Sequence, residues 1–161
     1  MPVGPQRIVC LTEEPTEVLY ALGQQHRIVG ISGFTVRPPQ ARQEKPRVSA
    51  FTSAMVDRIL ALQPDLAIGF SDMQAALADK LIRAGLDVLI TNLRSVDDIW
   101  RTLRLVAGLV GAQDRAEAWI GGERRREAVC VHAWSYWGES ICFWWLKHAP
   151  TFPFAQGRLF S

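Results

Sequence analysis

Three phenylalanines, Phe34, Phe51 and Phe70, stand where a hydrophobic core gives little reason for them. They fall within residues 28–70, IVGISGFTVRPPQARQEKPRVSAFTSAMVDRILALQPDLAIGF. There a short apolar run ending in Ser-Gly and another ending in Gly-Phe enclose a segment too long for an ordinary strand-to-helix connection. Pro38, Pro39 and Pro46 stiffen that segment, and a solvated loop has no structural need of Phe34 and Phe51. Phenyl faces hold a flat, partly apolar partner without hydrogen-bond precision, so the chemistry implied is that of gripping a ligand rather than transforming one. A single Phe most often belongs to a core. Placement at or just beyond strand ends, where ligands of alternating α/β folds sit, points instead to an aromatic-lined mouth.

Covalent and metal chemistry find less support. No GxSxG, no GxGxxG after the first strand and no phosphate-binding loop occurs, and Cys10 with the distant His26 is a weak constellation. Cys10, Cys130 and Cys142 lack CxxC spacing and are odd in number, which argues against a zinc site and a disulfide framework. His26, His132 and His148 form no ligand pattern, so neither a metal site nor a cofactor is expected. An uncharacterised α/β enzyme is therefore the weaker alternative.

The chain has 161 residues, of which 48% are hydrophobic and 21% charged, enough to bury the core of a soluble α/β domain. A net charge of +2 with basic residues scattered along the chain excludes the footprint of a nucleic-acid binder. Arg124, Arg125 and Arg126 make the sole basic run and read as a solvated helix end. MPVGPQ contains no apolar signal core and no membrane-spanning segment is encoded, so the chain as written is expected to stay in the cytoplasm.

The elements that must position the phenylalanines follow from the apolar runs RIVCL (7–11), RIVGI (27–31), LAIGF (66–70) and DVLIT (87–91), each followed by a segment of helical period. Continuous rather than alternating apolar strands between helices predict a parallel sheet covered on both faces. Right-handed crossovers with one change of direction after the first βα unit give four strands in the order 2-1-3-4. Thr12 is the expected cap of the first helix, with Glu13 and Glu14 on its positive end and Gly23 as its stop. Thr52 or Ser53 is expected to cap a helix with Val56, Ile59, Leu60 and Leu62 inward, and Asp57 falls near its exposed first turn. Ser71 or Asp72 is expected to cap the next, through Met73, Leu77 and Leu81 to Gly85. Ser95 with Asp98 makes a capping box for the longest helix, whose buried stripe is Ile99, Leu103, Val106 and Val110. Asp114 opens a further helix with Trp119 and Ile120, and from Gly121 that helix lacks an apolar stripe.

Beyond Val129 the composition changes: Trp134, Trp137, Trp144 and Trp145 crowd into a stretch with no persistent period. Such an end reads as translation out of frame or as a chain cut from its sequel, and is expected to pack poorly.

RIVCLTEEPTEVLYALG, RIVGISGFTVRPPQA, KPRVSAFT, DRILALQPDLAIGF and LIRAGLDVLITNLRSVDDI together resemble the N-terminal lobe of the cobalamin and iron-siderophore substrate-binding proteins of ABC importers. The cobalamin branch is nearest. The resemblance runs from residue 7 to about 127, with nothing after about Val129 matching a second lobe. It implies a two-lobed protein, here represented by an α/β lobe (7–112), the start of an inter-lobe connector helix (113–128) and an atypical tail (129–161). It also implies that Phe34, Phe51 and Phe70 hold the ligand, a cobalamin, related corrinoid or iron chelate, and that Asp57 docks onto an ABC permease. A monomeric, extracytoplasmic, non-enzymatic protein without membrane insertion follows from the same resemblance. Glu13 and Glu14 depart from it, replacing small residues and putting charge at the cleft edge. The rival module is a stand-alone cytoplasmic flavodoxin-like or corrinoid-binding regulatory domain, although the chain lacks a DxHxxG corrinoid motif.

Overall fold

In the computed structural model, which describes residues 4–49, 56–71 and 74–124, the continuous apolar runs form the interior of a parallel sheet. Its strands are β1 (Ile8–Cys10), β2 (Ile28–Ser32), β3 (Arg47–Ser49), β4 (Leu66–Phe70) and β5 (Asp87–Thr91), in the order β3-β2-β1-β4-β5. Five strands replace the expected four. The four expected strands keep their relative order, with β1 between β2 and β4. The added strand was hidden because Arg47, Val48 and Ser49 carry one apolar side chain among them. Its place is set instead by backbone pairing, in which Ile31 N–H donates to Pro46 C=O at 3.0 Å. The long segment after β2 therefore contains structure of its own, helix α2 (Pro39–Glu44) and then β3.

Helices α1 (Glu13–Ala21), α3 (Val56–Ala61), α4 (Ala75–Arg83), α5 (Val96–Val110) and α6 (113–124), with a 3-10 turn at Gln25–Arg27, complete the described elements. Successive strand side chains point to opposite faces. Ile8 and Cys10 of β1 and Leu66 and Ile68 of β4 accordingly pack with Leu19 of α1, Leu103, Val106 and Val110 of α5, and Ala116 and Ile120 of α6. Val9, Leu11 and Ala67 pack on the other face with Val48, Ile59 of α3 and Leu81 of α4. Each central strand is buried on both faces, which is why its sequence does not alternate.

Two of the expected helix ends show their capping chemistry, whereas Thr12 stands at the N-cap of α1 without a side-chain capping bond. Ser95 Oγ accepts the Asp98 N–H at 3.2 Å and donates to Asp98 Oδ2 at 2.9 Å, the expected box. The stripe behind it differs by one position: Ile99 is exposed, and Trp100 packs against the core at that end of α5. Gly23 adopts φ +70°, which lets Gln24 N–H reach back to Leu19 C=O at 2.7 Å and stop α1. Thr52, Ser53, Asp72 and Met73 lie outside the described residues, as does everything after residue 124. Helix α4 takes Gln74 as its cap.

The LALQPDL stretch fixes the start of the central strand. Asp65 accepts the N–H groups of Gln6 and Arg7 at 2.6 and 3.0 Å, and the Arg7 guanidinium donates to Gln63 and Leu62 carbonyls at 2.9 and 2.6 Å. Those bonds tie the entry of β4 to the entry of β1. They lie at the edge opposite Phe34 and Phe70.

Candidate functional site

All five strands run the same way, so their carboxyl ends form one edge, and there the chain changes direction between the β1–β2 and β1–β4 sides. Ligands of such sheets bind outside that crevice. Phe34 follows β2 by two residues and Phe70 ends β4, so they belong to the carboxyl ends of the two strands that flank β1, strands about 10 Å apart at the usual spacing. Phe51 lies outside the described residues, two positions beyond the end of β3.

The segment after β2 holds its phenylalanine outward. Ser32 starts it twice over: its Oγ accepts the Phe34 N–H at 3.2 Å and its carbonyl accepts the Thr35 N–H at 3.1 Å. Beyond that turn the side chains alternate, with Phe34 59% exposed, Thr35 wholly buried and Val36 56% exposed. Val36 thus joins Phe34 in an apolar patch, a residue that the sequence reading missed although the FTV alternation carries its signal. Thr12 and Thr35 keep buried Oγ1 atoms with no hydrogen-bond partner among the described residues.

The far end of the segment is held by α1. Arg37 N–H donates to Glu13 Oε1 at 2.9 Å, and Arg37 Nε lies 3.4 Å from the same oxygen and 3.0 Å from Glu17 Oε1. Burial pushes the Glu17 carboxyl up to about 7, against the pull of Arg37 and with a smaller upward push from Glu13 and Glu14. Glu13, one of the two charges expected at the cleft edge, is engaged with Arg37. Nearby, Tyr20 Oη donates to Glu44 Oε2 at 2.7 Å, and burial, aided by that bond, raises the phenol's pKa.

On the other side of β1, Gln74 supports Phe70. It is buried, its Oε1 accepts the Phe70 N–H at 3.1 Å, and its Nε2 donates to the Leu11 carbonyl at 3.3 Å. One side chain thereby bridges the ends of β1 and β4. Phe70 itself is half-buried. Asp57 is exposed in the first turn of α3.

Reactive groups at this edge are quiet. Burial pushes the Cys10 thiol up to about 12, so it stays protonated at neutral pH. Among the described residues no three His, Cys, Asp or Glu side chains gather to hold a metal ion, and no helix is long and apolar enough to cross a membrane. The arrangement offers apolar faces on a rigid edge, which is chemistry for holding a molecule.

The sequence profile of the periplasmic binding proteins matches residues 8–158. The chain belongs to that family. The match reaches further than residue 127, the limit of the resemblance read from the motifs. This is a family of binding proteins and not of enzymes. A vitamin B12-binding protein of Pectobacterium carotovorum subsp. carotovorum (strain PC1) is 29% identical over 115 residues, covering 70% of this chain and 41% of the relative. Among solved structures, a periplasmic heme-binding protein from Pseudomonas aeruginosa superposes with a TM-score of 0.72 at 28% identity, over 80% of this chain and 48% of that one. The periplasmic vitamin B12 binding protein of Vibrio cholerae gives 0.73 at 24% identity, covering 84% and 53%, a likeness of fold alone. The chain spans less than half the length of the curated relatives it matches.

Proposed function

We propose that this chain is a substrate-binding lobe of an ABC importer, and that the carboxyl edge of its sheet takes a corrinoid, with Phe34, Phe51 and Phe70 as the gripping aromatics. The exposure of Phe34 beside Val36, on a segment fixed at both ends, is the observation that carries this reading. An exposed pair of large apolar side chains on a rigid edge has little structural purpose and suits a flat, partly apolar macrocycle. The vitamin B12-binding relatives favour cobalamin within that class, and the heme-binding structural neighbour makes haem the second reading. Both ligands are rigid discs with a central metal, so the same edge serves either.

Titration with cyanocobalamin and with hemin, read by absorbance, tests the proposal. Replacing Phe34, Phe51 and Phe70 together by Ala should weaken binding by roughly 1.5 to 4.5 kcal/mol, taking about 0.5 to 1.5 for each aromatic contact. A folded triple variant that binds as the parent does refutes the site.

Asp57 we assign to docking on the permease, on the strength of its exposure at the head of α3. In a full-length relative carrying the same segment, Asp57→Lys should depress transport and leave ligand affinity unchanged within error, because an exposed rim charge acts on association with a partner. Loss of affinity on reversal refutes the assignment.

A further inference from the structure

We propose that Glu13 and Glu17 form a carboxylate clasp on Arg37 that positions the segment carrying Phe34 and Val36, making all three charged groups positioning residues for the ligand edge. The ligand part of this inference rests on the reading given under Proposed function; the clasp itself rests on geometry alone.

Glu13 and Glu17 are four residues apart on α1 and so share a face of it. Arg37 lies three positions beyond Phe34 and directly follows Val36, and it is engaged twice: its backbone N–H by Glu13 Oε1, its Nε by Glu13 and, at 3.0 Å, by Glu17. A backbone bond is the informative one. It fixes the path of the chain, whereas a guanidinium contact alone fixes only a long side chain that retains much freedom. With Ser32 holding the start of the segment, the two points of attachment lie on either side of Phe34 and Val36.

The clasp is also sensitive to pH. The Glu17 side chain is almost wholly buried, and the charged groups acting on it are Arg37, from the segment after β2, and Glu13 and Glu14, on its own helix. The elements packed on α1 are β1, β2, β4, α5 and the 3-10 turn Gln25–Arg27. The strands and α5 bring apolar side chains and the Cys10 thiol, which stays neutral; His26 of the turn is exposed, Arg27 donates to Gln24 Oε1 and to the Pro5 and Val110 carbonyls, and Glu44 of α2 accepts from Tyr20 Oη. Arg37 is thus the cation that rewards ionisation of Glu17, and protonation near neutrality removes the ionic part of the contact while Glu13 keeps the backbone bond.

Hydrogen exchange of the 33–37 amides in the full chain, corrected for the intrinsic pH dependence of exchange, tests the clasp without any ligand. The parent should exchange at least threefold faster at pH 6 than at pH 8. Glu17→Gln should exchange at the faster rate at both pH values, and Arg37→Gln, at a half-exposed position that tolerates substitution, should exchange faster still. Segment exchange within twofold of the parent in both variants, or a parent without pH dependence, overturns the clasp. Cyanocobalamin titration then tests positioning: Arg37→Gln should weaken binding about fivefold or more at pH 8, with the pH profile flattened in Glu17→Gln. If the segment loosens while binding is unmoved and Phe34→Ala still weakens it, the positioning role is overturned. If the parent binds neither cyanocobalamin nor hemin, the ligand reading and the positioning role fall together, and exchange alone decides the clasp.

Discussion

Glu17 is 3% exposed and still carries an acid whose pKa is raised to about 7, so its charge state changes near neutrality. The linkage to folding has a definite sign. The folded state binds this proton more tightly than the unfolded chain, where the carboxyl has its ordinary value of 4.5. Its contribution to stability is therefore fully present below about pH 4.5 and lost as pH rises through about 7, a difference of about 3 kcal/mol at 1.36 kcal/mol per unit. Urea unfolding between pH 5 and 8 should show the parent losing stability relative to Glu17→Gln across that window. Parallel curves for the two proteins would contradict the burial of a titrating acid. The same ionisation that costs global stability tightens the local contact with Arg37, because burial opposes the charge and the guanidinium attracts it. Little of this was legible in the sequence. Glu13 and Glu14 announced themselves as helix-dipole charges, but Arg37 lies 24 residues from Glu13, and only the fold brings them together. Phe34 was legible for the opposite reason, since a large apolar residue in a Pro-stiffened loop stands out locally.

Elements were legible where burial imposes a pattern on consecutive residues. β1, β2, β4 and β5 read as strands because two covered faces leave continuous apolar runs, and the Ser95 box and Gly23 stop are written in a few adjacent residues. β3 was not, because an outer strand of three residues makes its case through backbone pairing that no side-chain pattern records. Gln74 escaped for a related reason: the cap of its helix was expected at Ser71 or Asp72, and nothing in the local pattern records that its side chain joins two strand ends. That joint makes a prediction at Gly69. A Cβ there would collide with Gln74 Oε1 and lie 3.0 Å from Ile90 Cδ1. Gly69→Ala should displace the amide, leaving the Phe70 N–H and the Leu11 carbonyl without their partner, at a cost of about 1 to 3 kcal/mol for a buried polar group left unsatisfied. Thermal unfolding measures it, and an unchanged melting temperature would mean that Gln74 moves aside without consequence. The same substitution should weaken cyanocobalamin binding if Phe70 belongs to the site.

At the scale of the molecule, the described sheet has one carboxyl edge, and on the function proposed above the share of the ligand that this edge can cover sets the affinity. Binding sites for small molecules enclose about 70 to 90% of the ligand surface. Phe34, Val36 and Phe70 lie along a single strand-end edge, so a disc resting there is contacted from one side. Helix α6 bears on the same question. Ala116 and Ile120 are buried in the main core, and its Glu117 pairs with Arg104 Nε of α5 at 2.5 Å, so the helix is anchored to the lobe through residue 124. On the family reading it is the start of a connector that carries a second wall into place. Opposing walls add contacts to a ligand already immobilised, so each kilocalorie they contribute appears almost undiminished in the affinity. With several kcal/mol of such contact supplied by the second wall, at about 1.4 kcal/mol per tenfold, this chain should bind cyanocobalamin at least 100-fold more weakly than the full-length vitamin B12-binding relative of Pectobacterium carotovorum. Parallel calorimetric titrations decide it. Equal affinities would mean that the 161 residues enclose the ligand by themselves, and the walls of the site would then have to include residues beyond 124.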